Sequence, residues 1–322
     1  MGRRNFITGI AGSAIAWPLA TWAQRADRKR RVGILVLSNA EAESLRKEIR
    51  EGLRKAGYAE WQNIEFEVRS AEGSLDLLPS LAMQLVTIKV DVIIAIFTPC
   101  ALAAKQATAD IPIVFQAGDA VGSGIVLSLA RPEGNLTGLS TISAELLGKC
   151  VELLHDMLPS VHRIAALGYA SDPFSRPFVD QLQLAGRATG IPVDPIILLK
   201  GSNEVASAFD AMERARANAV IAQGTFSTRQ VADLALKHRL PLVTIFRSFT
   251  EAGALMSYGY QRNALYRHLA LFVRKVLEGT KPTDLPVEQP TEFELVINLK
   301  TAKALGIEIP SAIVARADEI IE

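Results

Sequence analysis

Cysteine is almost absent from these 322 residues: Cys100 and Cys150 are the only two. So small a number excludes a disulfide-dense scaffold and any cysteine-rich metal module. Histidine is nearly as scarce. His155, His162, His238 and His268 form no H-x-x-x-H pair or comparable cluster, which argues against a zinc hydrolase and leaves no metal site to expect. An excess of one charge is missing too. There are 35 basic residues against 34 acidic ones, a net charge of +1. Such a balance offers no electrostatic reason to bind nucleic acid or an anionic membrane. No apolar run reaches the roughly 18 residues that a membrane-spanning helix needs, so no stable membrane insertion is expected. Aromatics amount to 6%, yet hydrophobic residues reach 49% and charged ones only 21%, a composition too apolar for disorder. At this length the expectation is about two domains.

Enzyme signatures are missing as well. The sequence holds no G-x-x-x-x-G-K-[ST], no G-x-G-x-x-G and no G-x-S-x-G. Gly118, Gly122 and Gly124 form the nearest glycine cluster, but their spacing is wrong for a phosphate cradle. His155, His238 and His268 fall within predicted helices and His162 precedes a strand, so no nucleophile has an obvious base. The expectation is a protein that is not an enzyme, with no catalytic residue and no cofactor.

Residues 1–23 read as an export address. Arg3 and Arg4 open a segment that runs uncharged from Ile7 to Trp22, and Thr21 and Ala23 bracket Trp22 in the small-x-small pattern of a cleavage site. Arg-Arg-x-Phe-Ile ahead of a Gly/Ala-rich stretch looks like a twin-arginine signal, with an ordinary secretory signal as the alternative. Cleavage near Gln24 leaves no cysteine to carry a lipid anchor. The expected location is the periplasm. In that oxidising compartment Cys100 and Cys150 still read as small buried hydrophobes rather than as a disulfide pair.

From Val32 onward strands and helices alternate. Residues 32–37, 90–97 and 111–115 are solid apolar runs, as in parallel strands covered on both faces, and Ile64, Phe66 and Val68 alternate with glutamates in a half-exposed edge strand. Leu45, Ile49, Leu53 and Ala56 fall at helical spacing ahead of Gly57, and Leu78, Leu81 and Leu85 mark a second helix. The second half repeats the scheme with strands at 164–169, 196–199, 219–222 and 240–246. Asp91-Val-Ile-Ile-Ala echoes Asn218-Ala-Val-Ile-Ala at an offset of 127, Ile111-Pro-Ile-Val echoes Leu240-Pro-Leu-Val at 129, and Val32 and Ile164 stand 132 apart. The pattern predicts an α/β protein of two doubly wound, open parallel-sheet lobes. A helix at 264–277 and a connector bearing Pro282, Pro286 and Pro290 then lead to a strand at 293–297 and a short helix at 300–305. A chain that crosses between lobes more than once makes a multi-strand hinge. The expected division is residues 30–143 plus about 260–285 for the first lobe, and 144–259 plus about 286–322 for the second.

Ligands of open α/β sheets sit beyond the carboxyl ends of the strands, so the candidate ligand-binding residues are those that follow the apolar runs. In the first lobe these are Ser38, Asn39, Thr98, Pro99 and Asp119; in the second, Ser171, Asp172, Thr225, Phe226 and Tyr258. Thr98-Pro99 and Asp172-Pro173 also fit helix N-caps followed by proline, so capping and ligand binding both remain open for them. Backbone N–H groups at helix starts suit a ligand carboxylate, Asp119 and Asp172 an ammonium group, and Phe226 and Tyr258 an apolar wall.

Several segments carry a family resemblance over essentially the whole chain. They include Arg3-Arg4-Asn5-Phe6-Ile7, Gly52-Leu53-Arg54-Lys55-Ala56-Gly57-Tyr58, and Arg131-Pro132-Glu133-Gly134-Asn135-Leu136-Thr137-Gly138. Leu255-Met256-Ser257-Tyr258-Gly259 and Val296-Ile297-Asn298-Leu299-Lys300-Thr301-Ala302 complete the set. In combination they resemble the ABC-transporter substrate-binding protein family of the type I periplasmic binding fold. The resemblance implies a receptor, monomeric as is usual for this fold, that captures a small-molecule ligand and delivers it to a membrane permease. Some relatives take hydrophobic or aromatic amino acids. Two positions depart from the family pattern. Asp119 is followed by Ala120 where proline is common, and Phe97-Thr98-Pro99-Cys100 stands where Gly-Thr-Pro-Ala is usual, which narrows the expected pocket. The alternatives are a ligand-binding sensor module that signals to a membrane receptor, or an exported α/β enzyme.

Overall fold

The computed structural model describes residues 29–322; the export signal expected over residues 1–23 lies outside them. Two parallel-stranded sheets organise the rest. The first holds β1 (Arg30–Val36), β2 (Ile64–Ser70), β3 (Val92–Ile96), β4 (Ile113–Ala117) and β5 (Leu136–Ser140), in the order β2-β1-β3-β4-β5. Every pair in it is parallel. The helices between these strands are α1 (Asn39–Arg54), α2 (Leu78–Thr87) and α3 (Thr98–Ala107).

The all-apolar runs follow from burial on both faces. Val32, Ile34 and Val36 pack with Leu45, Ile49 and Leu53 of α1, while Leu35, between them in sequence, packs with Leu78, Ala82 and Leu85 of α2. Successive strand residues point to opposite faces, so both sets must be apolar. Each of these large side chains is essentially inaccessible, and such burial contributes about 1.5–3 kcal/mol per residue relative to exposure. Helix α1 starts as its sequence suggests, with Ser38 Oγ accepting the Glu41 N–H at 3.2 Å.

The second sheet contains β6 (Ile164–Tyr169), β7 (Val193–Leu199), β8 (Ala219–Ala222), β9 (Leu242–Thr244), β10 (Met256–Tyr260), β11 (Phe293–Asn298) and β12 (Glu319–Ile321). Its order is β12-β11-β10-β9-β8-β6-β7. The run β7-β6-β8-β9-β10 reproduces β2-β1-β3-β4-β5 strand for strand, which is the structural content of the repeat offsets near 130. Beyond β10 the sheet continues with the antiparallel β11 and then β12. Helices α4 (Ser143–Met157) and α5 (Ser175–Thr189) cover one face; α6 (Val205–Arg214), α7 (Thr228–Lys237) and α8 (Arg247–Ala252) cover the other.

Three strands, β5, β10 and β12, lack a clear signal in the sequence. Glycine weakens the first two, yet close packing demands it. A β-carbon on Gly138 would fall 2.1 Å from the Phe115 carbonyl oxygen, and one on Gly259 would fall 1.8 Å from that of Ile245. Strand β12 is only three residues long.

The chain passes between the sheets three times. It leaves β5 through Thr141 and Ile142 into α4, and returns after Tyr260 into α9 (Arg262–Leu277), which packs beside α1 over β3, β4 and β5. The proline-bearing connector then runs along β5. Thr137 Oγ1 donates to the Leu285 carbonyl at 2.9 Å, and Glu288 exchanges backbone bonds with Gly138 and Ser140 before β11 begins. Short helices α10 (Leu299–Leu305) and α11 (Ser311–Val314) precede β12. Cys100 and Cys150 are buried free thiols, and burial pushes Cys150 up to about 12.

The second crossing depends on Gly52. A β-carbon there would sit 2.4 Å from Ala270 Cβ, so α1 and α9 touch through small residues. Gly52→Val is expected to cost about 1–3 kcal/mol by overpacking this contact, read as a lower denaturant midpoint. An unchanged midpoint would show that the two helices are free to separate.

Candidate functional site

The carboxyl ends of the two sheets face each other across a cleft, and the cleft encloses a cavity of about 420 Å³. From the first sheet it is lined by Ser38 after β1, Phe97 after β3 and Gln116 at the end of β4; from the second by Thr225 and Phe226 after β8 and Phe246 after β9. Helix α1 contributes Glu41. The end of β10 contributes Tyr260, and the return crossing contributes Arg262 and Tyr266. A smaller space of about 30 Å³ lies behind, bordered by Thr98, Pro99, Asp172 and Phe174. The two chambers share Phe97, Gln116, Gly224, Thr225, Ile245 and Phe246. The lobes meet here: the Phe97 and Phe246 rings stand 5.7 Å apart, edge to face, and Gln116 Nε2 reaches Tyr260 Oη at 3.5 Å.

Of the residues singled out in the sequence, Ser38 and Phe226 line the outer chamber, Thr98, Pro99 and Asp172 the inner one, and Thr225 both. The other four lie outside both chambers. Asn39 is exposed at the start of α1, and Ser171 is exposed in the turn after β6. Asp119 closes its own loop, Oδ1 accepting the Gly122 N–H at 2.9 Å. Tyr258 lies two residues short of the strand end, against Phe293; Tyr260 takes the cleft position instead.

Neither proposed cap forms in the expected manner. Helix α3 begins at Thr98 itself, with Phe97 as the cap residue, and Thr98 Oγ1 accepts the Gly118 N–H at 3.3 Å. Helix α5 begins at Ser175 rather than after Asp172. Asp172 Oδ1 instead accepts the Phe174 N–H at 2.9 Å, a local turn that holds the carboxyl inward. Asp172 is 3% exposed. Burial pushes its carboxyl up to about 6, against smaller opposing pulls from the Phe174 N–H and the nearby Thr225 hydroxyl. That hydroxyl is buried and closes no well-formed hydrogen bond of its own.

The outer chamber has a polar end and an aromatic wall. At the polar end Tyr266 Oη donates to Glu41 Oε1. Burial raises the Glu41 carboxyl and the charge of Arg262 partly restores it. Arg262 Nε is buried with no hydrogen-bond partner. Arg247 also reaches the cleft, but Glu319 grips it bidentately at 2.7 and 2.5 Å and Glu251 accepts its Nε at 2.7 Å, so its charge is already matched. These hydrogen bonds raise the Arg247 guanidinium still further above its ordinary range. Along the wall, Phe226 stacks on Tyr169 at 4.2 Å and Phe246 meets Tyr260 edge-on at 6.0 Å.

Glu41, Gln116, Arg262 and Tyr266 were not legible as site residues, because they lie within elements rather than just after strands. The charged Glu41 in the first turn of an otherwise well-marked helix was the available signal.

Asp172 also sets a pH dependence. Its carboxyl titrates near 6 in the folded chain against 3.8 ordinarily, so between those values the folded state binds more protons than the unfolded one. Stability relative to Asp172→Asn is therefore fully present below about pH 4 and falls through pH 6, by up to about 3 kcal/mol. Denaturation of both proteins across this range checks it; a constant difference would mean that the carboxyl is solvated.

Known proteins share this architecture. The family model for ABC transporter substrate binding protein matches residues 31–321. The tyrosine-binding protein of Clostridioides difficile (strain R20291) is 30% identical over 304 residues, covering 90% of this chain and 85% of that protein. The ABC domain of Streptococcus pneumoniae in complex with L-Trp superimposes with a TM-score of 0.84 at 27% identity, over 91% of this chain and all of the other. A substrate binding protein with adhesive properties from Clostridium difficile, in a ligand-free, open structure, gives only 0.63 at 26% identity over 91% of this chain and 99% of that one. Together with its two repeated lobes and its interlobe cleft, these matches show that the chain belongs to the ABC transporter substrate-binding protein family and has the type I periplasmic binding fold.

Proposed function

We propose that this protein is the extracytoplasmic receptor of an ABC importer, and that its ligand is an α-amino acid with an aromatic or other hydrophobic side chain. The observation that carries the reading is the outer chamber: about 420 Å³ with Glu41 and Arg262 at one end and Phe226, Phe246 and Tyr260 along the wall. A zwitterion matches that end. Its ammonium group pairs with the Glu41 carboxylate, and its carboxylate takes the unpartnered Arg262 Nε and the uncapped N-terminus of α7 beside Thr225. The side chain then stacks on the wall. The tyrosine and L-Trp relatives support this ligand class.

The lobes act as two bodies, residues 30–143 with about 260–285, and 144–259 with about 286–322. Ligand binding favours the closed arrangement by its greater affinity for that state. The closed lobes then present a docking surface to a membrane permease, and the protein binds its ligand without altering it. The arginine-led segment at residues 1–23 supports export to the periplasm.

A thermal-shift screen of the purified protein against the amino acids tests the ligand class. A ligand at 1,000 times its dissociation constant adds about 4 kcal/mol, a rise of several degrees. The expected responders are L-tryptophan, L-tyrosine or L-phenylalanine, with Glu41→Gln weakening binding roughly ten- to hundredfold through loss of a charged hydrogen bond. Silence across the panel, from protein free of carried-over ligand, would remove the amino-acid reading. Recovery of the protein in a cytoplasmic rather than a periplasmic cell fraction would remove the export reading.

A further inference from the structure

Phe97 sits in a backbone conformation that suits glycine. Its φ of 74° and ψ of 154° lie where a β-carbon is penalised, and residues held there cluster at ligand clamps and switches. The bonds around it hold that conformation. Phe97 N–H donates to the Gln116 carbonyl at 2.8 Å, and the Phe97 carbonyl accepts the Ala101 N–H at 3.0 Å. Nothing in this bonding requires a phenyl ring, and glycine would satisfy it with less strain. The ring's role lies elsewhere, in its contact with the other lobe.

That contact is built from both sides. Phe97 meets Phe246 edge-on, and Phe246 in turn meets Tyr260. Phe246 lies flush on Gly224, where a β-carbon would come within 2.1 Å of its Cε2. Both phenylalanines border both chambers, so the pair forms the partition between them. In front lies the large chamber with its aromatic wall. Behind lies a mostly apolar space of about 30 Å³, room for roughly one water, into which the 3%-exposed Asp172 and the unsatisfied Thr225 hydroxyl bring the polar groups.

We propose that Phe97 is a specificity-determining residue: with Phe246 it forms an aromatic gate between the lobes that confines the ligand to the outer chamber and keeps cationic side chains away from the Asp172 carboxylate. The inference rests on the reading of the cleft as an amino-acid site and goes beyond it in saying what the site rejects. With the gate in place a ligand side chain meets phenyl rings. With it removed, a chain ending in an ammonium group reaches a buried carboxylate that has no cation of its own in that chamber.

The test is L-lysine binding, measured by calorimetry at pH 8 with wild type, Phe97→Gly, Phe246→Leu and the double variant Phe97→Gly/Asp172→Asn. Glycine suits the φ at position 97, so the first variant is expected to fold; the second opens the gate from the other lobe. Either single variant should bind L-lysine at least tenfold more tightly than wild type, and the double variant should lose that gain. Lysine affinity unchanged in both single variants, or a gain that survives Asp172→Asn, overturns the gate. If wild type binds no amino acid and the variants do not bind L-lysine, the amino-acid reading falls separately. The gate is then decided by X-ray scattering of the ligand-free proteins. A larger radius of gyration for Phe97→Gly than for wild type upholds the gate, and superimposable curves overturn it.

Discussion

Burial of both faces of the parallel strands is the constraint on which the rest of this molecule depends. Parallel neighbours are joined only by long crossovers, and here all but the β4–β5 connection carry a helix laid on one face or the other. The strands must then be apolar throughout, as β3, with all five residues buried, and β6, with all six, show. Once both faces are covered, the sheets themselves offer polar groups mainly at strand ends. The carboxyl ends of β1, β3, β4, β8 and β9 therefore supply the cleft, and the chemistry of the protein is confined to a few short segments by the packing of everything else.

The return crossing has two roles that a single segment rarely combines. Helix α9 completes the cover of the first sheet, with Leu265, Leu269 and Phe272 buried against it and Gly52 admitting Ala270. The same segment delivers Arg262 and Tyr266 to the cleft, beside Tyr260 at the end of β10. Joining the lobes and lining the site are thus one structural act. The connector alongside β5 adds a third passage, held by Thr137 and Glu288, so the lobes are linked by three segments of chain.

Charge in the cleft is distributed by what each group already holds. Arg247 is saturated by Glu251 and Glu319, so it stiffens the second lobe by tying α8 to β12. Glu41 and Arg262 satisfy each other only partly: Tyr266 bonds the carboxylate, and the guanidinium keeps a buried Nε unused. Asp172 is sequestered behind two phenyl rings and loses part of its acidity to burial. An uneven state of satisfaction of this kind separates residues that hold the fold from those left with bonding capacity for a ligand.

How much of this was readable beforehand differs between fold and site. Period and composition were enough for the doubly wound lobes and their repetition, since the 2- and 3.6-residue periods are local and buried strands advertise themselves as apolar runs. They failed at β5 and β10, where Gly138 and Gly259 answer to the carbonyl of a neighbouring segment, Phe115 in β4 and Ile245 just after β9, rather than to their own segment. For the site, the rule that ligands sit beyond strand ends brought Ser38, Thr98, Pro99, Asp172, Thr225 and Phe226 to the cleft. Asp119 shares that sequence context, yet its carboxylate turns back on Gly122. Glu41, Arg262 and Tyr266 come together from helices more than 200 residues apart. The sequence by itself determined the layers, the repeat and the family. Which side chains share a chamber, and which ring stands between Asp172 and the outer space, was decided only when two sheets closed on each other, because contacts between distant segments leave no period in the chain.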